Sequence, residues 1–356
     1  MKIGILGTRG IPNHYGGFEQ FAEYFAVYAA SHGHDVYVYN SHNHPCQEKV
    51  FNNVHLVHCF DPEYKIGTVG QFIYDLNCII DARKRNFDII LQLGYTSSSV
   101  WYSLHPQNSI VITNMDGLEW KRTKYSKTVQ KALQLAERLA VKKSDYLISD
   151  SLGIQKYLKE KHNAESSYIA YGAHNFTKPN SEILKLYNVE AENFNMIMAR
   201  FEPENNIEMV LEGVSKSSSN TPILVIGNHN TKYGIYLKEK FSNYENIRFL
   251  GAVYNLEHLD NLRYYSNPSL LEAMASKALI IAHNNEFNKG VLLENAYYFS
   301  SAEEVKKILN SIKKSNNLQF VENNYAAIAS TFNWEKINEE YLQLFKQCLE
   351  RNFRRK

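Results

Sequence analysis

The stretch Met1-Lys2-Ile3-Gly4-Ile5-Leu6-Gly7-Thr8-Arg9-Gly10-Ile11-Pro12-Asn13-His14-Tyr15-Gly16-Gly17 decides the fold. Its first six residues form a short apolar run that stops at Gly7, the pattern of a strand buried on both faces. From Gly7 to Gly17 the residues are those of turns and loops. Phe18, Phe21, Ala22, Phe25 and Ala29 then recur at helical spacing over residues 18–31, and residues 34–39 read as a second strand. Strand, glycine loop, helix, strand is the opening of a doubly wound α/β domain. Ligands of such sheets sit outside the carboxyl ends of the strands, so the Gly16-Gly17 loop is expected to border one. The strict GxGxxG spacing is absent, which argues against a nicotinamide site.

Downstream, residues 55–60, 87–93, 109–113 and 145–149 read as further strands, with helices over 70–84 and 127–143. The strand at 109–113 leads into Asn114-Met115-Asp116-Gly117-Leu118-Glu119-Trp120-Lys121-Arg122. Polar residues at a strand end are where chemistry is usually found in these sheets, so Asp116 could hold a reacting hydroxyl or a sugar ring. An Asp-Gly turn with a solvated carboxylate fits the same residues. Residues 175–195 turn polar and carry Pro179, consistent with a crossover and linker. A second α/β run starts at 196–199 and enters Arg200. It continues through a strand ending at Gly227-Asn228, a strand ending at Gly251 and a strand at 279–282.

The segment Asn267-Pro268-Ser269-Leu270-Leu271-Glu272-Ala273-Met274-Ala275-Ser276 lies within that second run. Ser or Asn followed three residues later by Glu is a helix-capping pattern. The free amides and positive dipole end of such a helix suit a diphosphate, and Glu272, one turn in, could accept hydrogen bonds from a ribose. An ordinary capped helix that packs Leu270, Leu271, Ala273 and Met274 inward explains the same spacing. Residues 334–353 form a terminal amphipathic helix before Arg354-Arg355-Lys356.

A chain of 356 residues is long for one core and suits two domains. The division expected is 1–175, 176–333, and a terminal helix over 334–356 that packs back on the first domain. The composition, 44% hydrophobic and 21% charged, is globular rather than disordered. A net charge of +2 is too small to argue for nucleic acid as a partner. Cys46, Cys59, Cys78 and Cys348 show no metal-ligand spacing and are expected as reduced thiols in a cytoplasmic protein. No apolar run approaches the ~20 residues needed to cross a bilayer.

An Arg at the end of the first strand of the second half, a Gly-Asn after its second strand and Glu272 on a later helix would converge on one mouth. That combination suits a nucleotide diphosphate. Together with the opening loop, the Asp116–Arg122 segment, Ala199-Arg200-Phe201-Glu202-Pro203-Glu204-Asn205-Asn206, residues 267–276, and Ala282-His283 with Asn285-Glu286-Phe287-Asn288, it resembles the family 4 glycosyltransferases of GT-B fold. The resemblance runs over nearly the whole chain and is nearest to bacterial rhamnosyltransferase-like members of capsule and O-antigen synthesis.

The resemblance implies two Rossmann-like doubly wound domains facing across a cleft. It implies retaining transfer of a sugar from a nucleotide-diphosphate donor to a lipid-linked glycan. The favoured donor is deoxythymidine-diphosphate rhamnose, with a uridine-diphosphate sugar second and no metal or other cofactor. Arg200 and the amides of Ser269, Leu270 and Leu271 would hold the diphosphate, and Glu272 the ribose. Gly227, Asn228 and Gly251 would border the donor, and Gly16 and Gly17 would allow close approach to it. Glu19 and Asp116 would frame the acceptor, with Asp116, Arg200 and Glu272 as the catalytic set.

The basic clusters Arg83-Lys84-Arg85, Lys121-Arg122, Lys124 and Lys142-Lys143 could seat the first half on an anionic inner leaflet, or simply be a solvated surface.

Three departures from the family pattern stand out. Asn205 occupies the place of a Lys five residues after Arg200. Glu272 stands without a second glutamate. Leu262-Arg263-Tyr264-Tyr265-Ser266 runs straight into Asn267 where relatives have a His- and Gly-rich loop. These departures motivate an alternative, a non-catalytic descendant that binds a nucleotide sugar or a partner. A sugar-nucleotide epimerase shares the fold and is the third reading.

Overall fold

The computed structural model describes residues 1–14, 16–122, 125–253, 255–264 and 270–353. The chain divides into two compact units, Met1–Tyr171 with the chain from Trp334 onward, and Gly172–Asn333.

Unit 1 opens with β1 (Lys2–Leu6), α1 (Gly17–Ser31), β2 (Asp35–Ser41), β3 (Val50–Phe51) and β4 (Val54–Cys59). It continues with α2 (Glu63–Ile66), α3 (Val69–Ala82), β5 (Ile89–Leu93), β6 (Ile110–Asn114) and α4 (Lys127–Lys143). Next come β7 (Tyr146–Ser149), α5 (Leu152–His162) and β8 (Ser167–Tyr168). The sheet order is β3-β4-β2-β1-β5-β6-β7-β8, parallel throughout except for the short β3. Strands β5 and β6 are buried at every residue, which is why each opens on a run of apolar residues. The winding direction reverses between β1 and β5, paired through Ile3–Ile89 and Ile5–Leu91. That reversal is the switch point, and the crevice beyond the carboxyl ends there is the expected ligand position.

Gly7 makes the turn out of β1 at φ +85, and a Cβ there would meet the Leu93 carbonyl oxygen at 2.1 Å. Only glycine fits that backbone and that contact.

Unit 2 contains α6 (Glu182–Lys185), β9 (Asn195–Met198), α7 (Ile207–Lys216), β10 (Ile223–Ile226), α8 (Lys232–Lys240) and β11 (Ile247–Gly251). It ends with α9 (Leu256–Tyr264), α10 (Leu270–Ala275), β12 (Ile281–His283), α11 (Glu286–Leu292), β13 (Tyr297–Phe299), α12 (Ala302–Ser311) and α13 (Leu318–Ser330). Strand and helix alternate from β9 to α9, and then α10 follows α9 with no strand between them among the described residues. The consequence is a divided sheet: β11-β10-β9 is one piece and β12-β13 another.

The terminal helix α14 (Trp334–Phe353) belongs to unit 1 and packs on α1. Tyr341 lies 4.7 Å from Phe21 and Phe345 lies 5.6 Å from Phe25, ring centre to ring centre. All four rings are buried, each contributing about 1.5–3 kcal/mol by leaving water. No described helix is long and apolar enough to cross a membrane.

Candidate functional site

In unit 1 two groups of polar side chains gather at the carboxyl ends of the strands. The first sits at the β1/β5 reversal, in a pocket of about 150 Å³ lined by Arg9, Asp61, Glu63, Asp75, Gln92 and Ser97, with Phe18, Tyr74 and Tyr95 among its walls. Glu19, one turn into α1, is buried, and its carboxylate accepts from Thr8 Oγ1 at 3.2 Å and from the Arg9 amide at 2.8 Å. It therefore fixes the loop that carries Arg9. The Arg9 guanidinium is forked onto Glu63, with Nη2 at 2.6 and 2.8 Å from the two carboxylate oxygens. Asp75, buried on α3, accepts from Ser97 Oγ at 2.6 Å. Burial pushes its carboxyl up to about 7, with Asp61 adding repulsion while the Ser97 hydrogen bond and Arg9 pull the other way.

The second group follows the next two strands. Asp116 lies just beyond β6 and Asp150 just beyond β7, and the Met115 amide donates to the Ile148 carbonyl at 2.7 Å to hold those ends together. The two carboxyls are hydrogen-bonded to each other, and burial together with the charge of Asp116 pushes Asp150 up to about 7. At neutral pH such a pair shares a proton. Beside it the Tyr171 hydroxyl is driven well above its ordinary range by burial and then by Asp116 and Asp150. Downstream of Asp116, Trp120 Nε1 donates to Glu137 Oε2 at 3.0 Å. Glu137 is only 1% exposed and also takes Tyr157 Oη at 2.7 Å and His162 Nε2 at 2.8 Å, tying the Asp116 segment to α4 and α5.

At Gly16 the backbone is extended, φ −165, and nothing lies within 4 Å of a Cβ at Gly17. Neither position demands glycine for its own backbone. Within the opening loop the glycines that do are Gly7 and Gly10, the latter at φ +121 with a Cβ position 2.3 Å from Asn40 Cγ.

In unit 2 a cavity of about 490 Å³ runs along β9 and β12, bounded by residues that include Arg200, Asn206, Leu270, His283, Asn285 and Asn288. Arg200 and Leu270, the first residue of α10, thus line one space. Leu271 is half-buried and Glu272 exposed, close enough to Asp260 to raise that carboxyl further after burial has raised it. Ser269, with Asn267 and Pro268, lies outside the described residues, so the cap expected there is not described.

Gly227, Asn228 and Gly251 end β10 and β11 away from that cavity's lining. Gly227 packs its α-carbon where a Cβ would strike the Ala199 carbonyl oxygen at 2.1 Å. His229 stands there between Phe201 and Phe249, with Nδ1 buried and unpartnered, a group that sequence reasoning did not single out. The Asn205 side chain donates to the Arg200 carbonyl at 2.7 Å, so the residue in the place of the expected Lys braces the Arg200 turn.

The cavity is not confined to the strand ends. It extends back to Asn195 along the full length of β9, between apolar side chains such as Ile197, Val210, Ile281 and Leu309. It occupies the position where a strand between α9 and α10 would pair in a continuous doubly wound sheet.

The basic clusters are partly neutralised: Arg85 pairs with Asp81, and Arg122 with Glu119 at 2.8 Å. Lys124 lies outside the described residues. Among those residues, no group of three or more His, Cys, Asp or Glu side chains is arranged to hold a metal ion.

Residues 1–174 match a family model described as "Domain of unknown function (DUF1972)". No curated protein matches the chain. Among solved structures, the sucrose-phosphate synthase of Thermosynechococcus elongatus is similar at TM-score 0.79 and 16% identity, over 97% of this chain and 98% of that one. Anabaena HepE, solved with UDP and glucose, has TM-score 0.75 and 14% identity, covering 98% of this chain and 100% of its own. WaaG, a glycosyltransferase involved in lipopolysaccharide biosynthesis, has TM-score 0.71 and 13% identity, covering 97% and 99%. At such identities the likeness is one of fold, and the fold is GT-B, with two Rossmann-like domains.

Proposed function

We propose that the protein is a glycosyltransferase that takes a sugar from a nucleotide-diphosphate donor held by unit 2. The observation that carries this reading is the cavity shared by Arg200 and α10 in a GT-B chain. Arg200 would offset the charge that builds on the leaving diphosphate, the largest single contribution expected of such a site. The resemblance of the sequence motifs to family 4 supports a retaining reaction and a rhamnosyl donor. The UDP and UDP-glucose complexes of HepE make a uridine-diphosphate sugar the first donor to test on this chain. The proton-sharing pair Asp116–Asp150 is suited to receive the proton of an acceptor hydroxyl.

A lipid-linked acceptor and peripheral attachment to an anionic inner membrane belong to the same proposal. They are supported by Phe60, Tyr64, Ile66 and Val69, apolar side chains 49–64% exposed within a short segment that also carries Lys65. Calorimetric titration with uridine, deoxythymidine and guanosine diphosphates and their sugars tests the donor reading. Base-selective binding that is lost in Arg200→Ala is expected, and binding indifferent to Arg200 refutes the assignment.

The divided sheet of unit 2 favours a second reading, a non-catalytic descendant that binds a nucleotide sugar without transferring it. Binding without turnover, across a panel of glycan acceptors, would select it.

A further inference from the structure

All four cysteines lie in unit 1: Cys46 in the loop after β2, Cys59 at the end of β4, Cys78 on α3 and Cys348 on α14. Two of them meet. Helix α3 packs on β4 in the core of that unit, and there the Cys59 and Cys78 thiols are hydrogen-bonded to each other. Tyr74, one turn before Cys78 on α3, is hydrogen-bonded to the Cys78 thiol as well. Cys78 has no exposed surface, whereas Cys59 is 8% exposed, so solvent reaches the pair from the Cys59 side.

The two sulfurs are not equivalent. The hydrogen bond from Cys78 favours the Cys59 thiolate and, with help from Arg85, outweighs burial and the charge of Asp81, holding that thiol below its ordinary range. Burial, and then the neighbouring Cys59, push the Cys78 thiol well above its own. Cys348, on α14, is pushed up to about 12 by burial. A thiolate with a solvent face, backed by a second thiol within reach, is the arrangement of an oxidant-sensing pair.

We infer that Cys59 and Cys78 are a redox-sensitive dithiol, which a hydroperoxide converts to an intramolecular disulfide. The Cys59 thiolate attacks a peroxide oxygen, so that an S–O bond forms as the O–O bond breaks, and the departing oxygen takes up a proton. The Cys78 sulfur then gives up its proton and attacks the sulfur of the Cys59 sulfenic acid. The S–S bond forms, the S–O bond breaks, and the hydroxyl leaves with that proton as water. Two thiols together lose two electrons, and the peroxide gains them. The bridge closes residues 59–78 into a loop. That span carries Asp61, Glu63 and Asp75 of the β1/β5 pocket, together with the exposed Phe60, Tyr64, Ile66 and Val69. A covalent loop restricts the excursions of the segment it encloses, so oxidation acts on the pocket and the apolar patch at once. The inference uses no part of the glycosyl-transfer reading.

The test exposes the reduced full chain to hydrogen peroxide, then unfolds it and alkylates the remaining thiols with N-ethylmaleimide for mass spectrometry. Two of the four cysteines are expected to escape alkylation, with Cys59 and Cys78 joined in one cross-linked peptide, and dithiothreitol is expected to restore all four. In Cys78→Ser the reaction should stop at the sulfenic acid, and dimedone is expected to label Cys59. In Cys59→Ser, Cys78 is expected to stay unlabelled and open to alkylation after unfolding. Circular dichroism checks the fold of both variants, and the cross-link map of the parent chain decides the question without them. Four alkylated cysteines, after a dose that fully oxidises free glutathione, overturn the inference. So does a disulfide through Cys46 or Cys348 in place of the Cys59–Cys78 bridge, or dimedone on Cys78 in Cys59→Ser.

Discussion

Replacing Asp150 by Asn is expected to stabilise the protein at alkaline pH and to do little near pH 4. The carboxyl is raised from 3.8 to about 7, first by burial and then by the neighbouring charge of Asp116. Between those two values the folded state holds more protons than the unfolded chain. Stability therefore falls as pH rises across that window, and the full cost is present above about pH 7. A shift of that size corresponds to at most about 4 kcal/mol, and relaxation with water entry reduces it to about 1–3 kcal/mol. Asn keeps the side-chain length and an acceptor oxygen but carries no charge, so Asp116 ionises beside it without repulsion.

The assay is urea unfolding of parent and variant at pH 4 and pH 8, followed by tryptophan fluorescence and circular dichroism. The variant should gain about 1–3 kcal/mol at pH 8 and less than about 0.5 kcal/mol at pH 4. A loss at pH 8, or the same difference at both pH values, would refute the argument that the two carboxyls compete. If the pair also serves a reaction, the same variant should lose turnover while gaining stability, the exchange expected where a site is held at a stability cost.

Other changes test other parts of the structure. Arg200→Ala is expected to lower sugar transfer by at least ~100-fold with thermal stability unchanged, since the side chain is exposed; steady-state kinetics and a melting curve check both. Glu137→Ala strands Trp120, Tyr157, Lys161 and His162, and should cost about 3–5 kcal/mol in denaturant unfolding at pH 7. Burial would raise the Glu137 carboxyl, yet hydrogen bonds from His162 and Tyr157 and the charge of Lys161 outweigh it and hold the group below its usual range. Its contribution is therefore present above the unfolded value near 4.5 and is lost as pH falls through the lower folded one, so parent and variant should converge in acid. Gly7→Ala forces a Cβ to 2.1 Å from the Leu93 carbonyl oxygen at φ +85 and should cost at least about 2 kcal/mol, or prevent soluble expression.

Much of unit 1 was legible in the sequence. Met1 to Leu6 and residues 87–93 are largely apolar runs because β1 and β5 are covered on both faces, and the helical spacing of Phe21 and Phe25 is the face that meets Tyr341 and Phe345. That Arg200 stands just past the carboxyl end of a strand was legible for a similar local reason. The division of unit 2 had a local sign as well: nothing strand-like stands between Leu262 and Asn267.

Asp75, Gln92 and the pairing of Asp150 with Asp116 left no such mark. Asp75 reads as one polar position of an amphipathic helix, and Gln92 as a blemish in an apolar strand. Their meaning depends on β1 and β5 lying side by side while β2 and β6 lie outside them. Periodicity is imposed by the geometry of a single helix or strand, so a sequence reports it directly. Strand order is set by which faces bury against each other across many residues, and that packing alone brings Arg9, Asp61, Asp75 and Gln92 around one pocket.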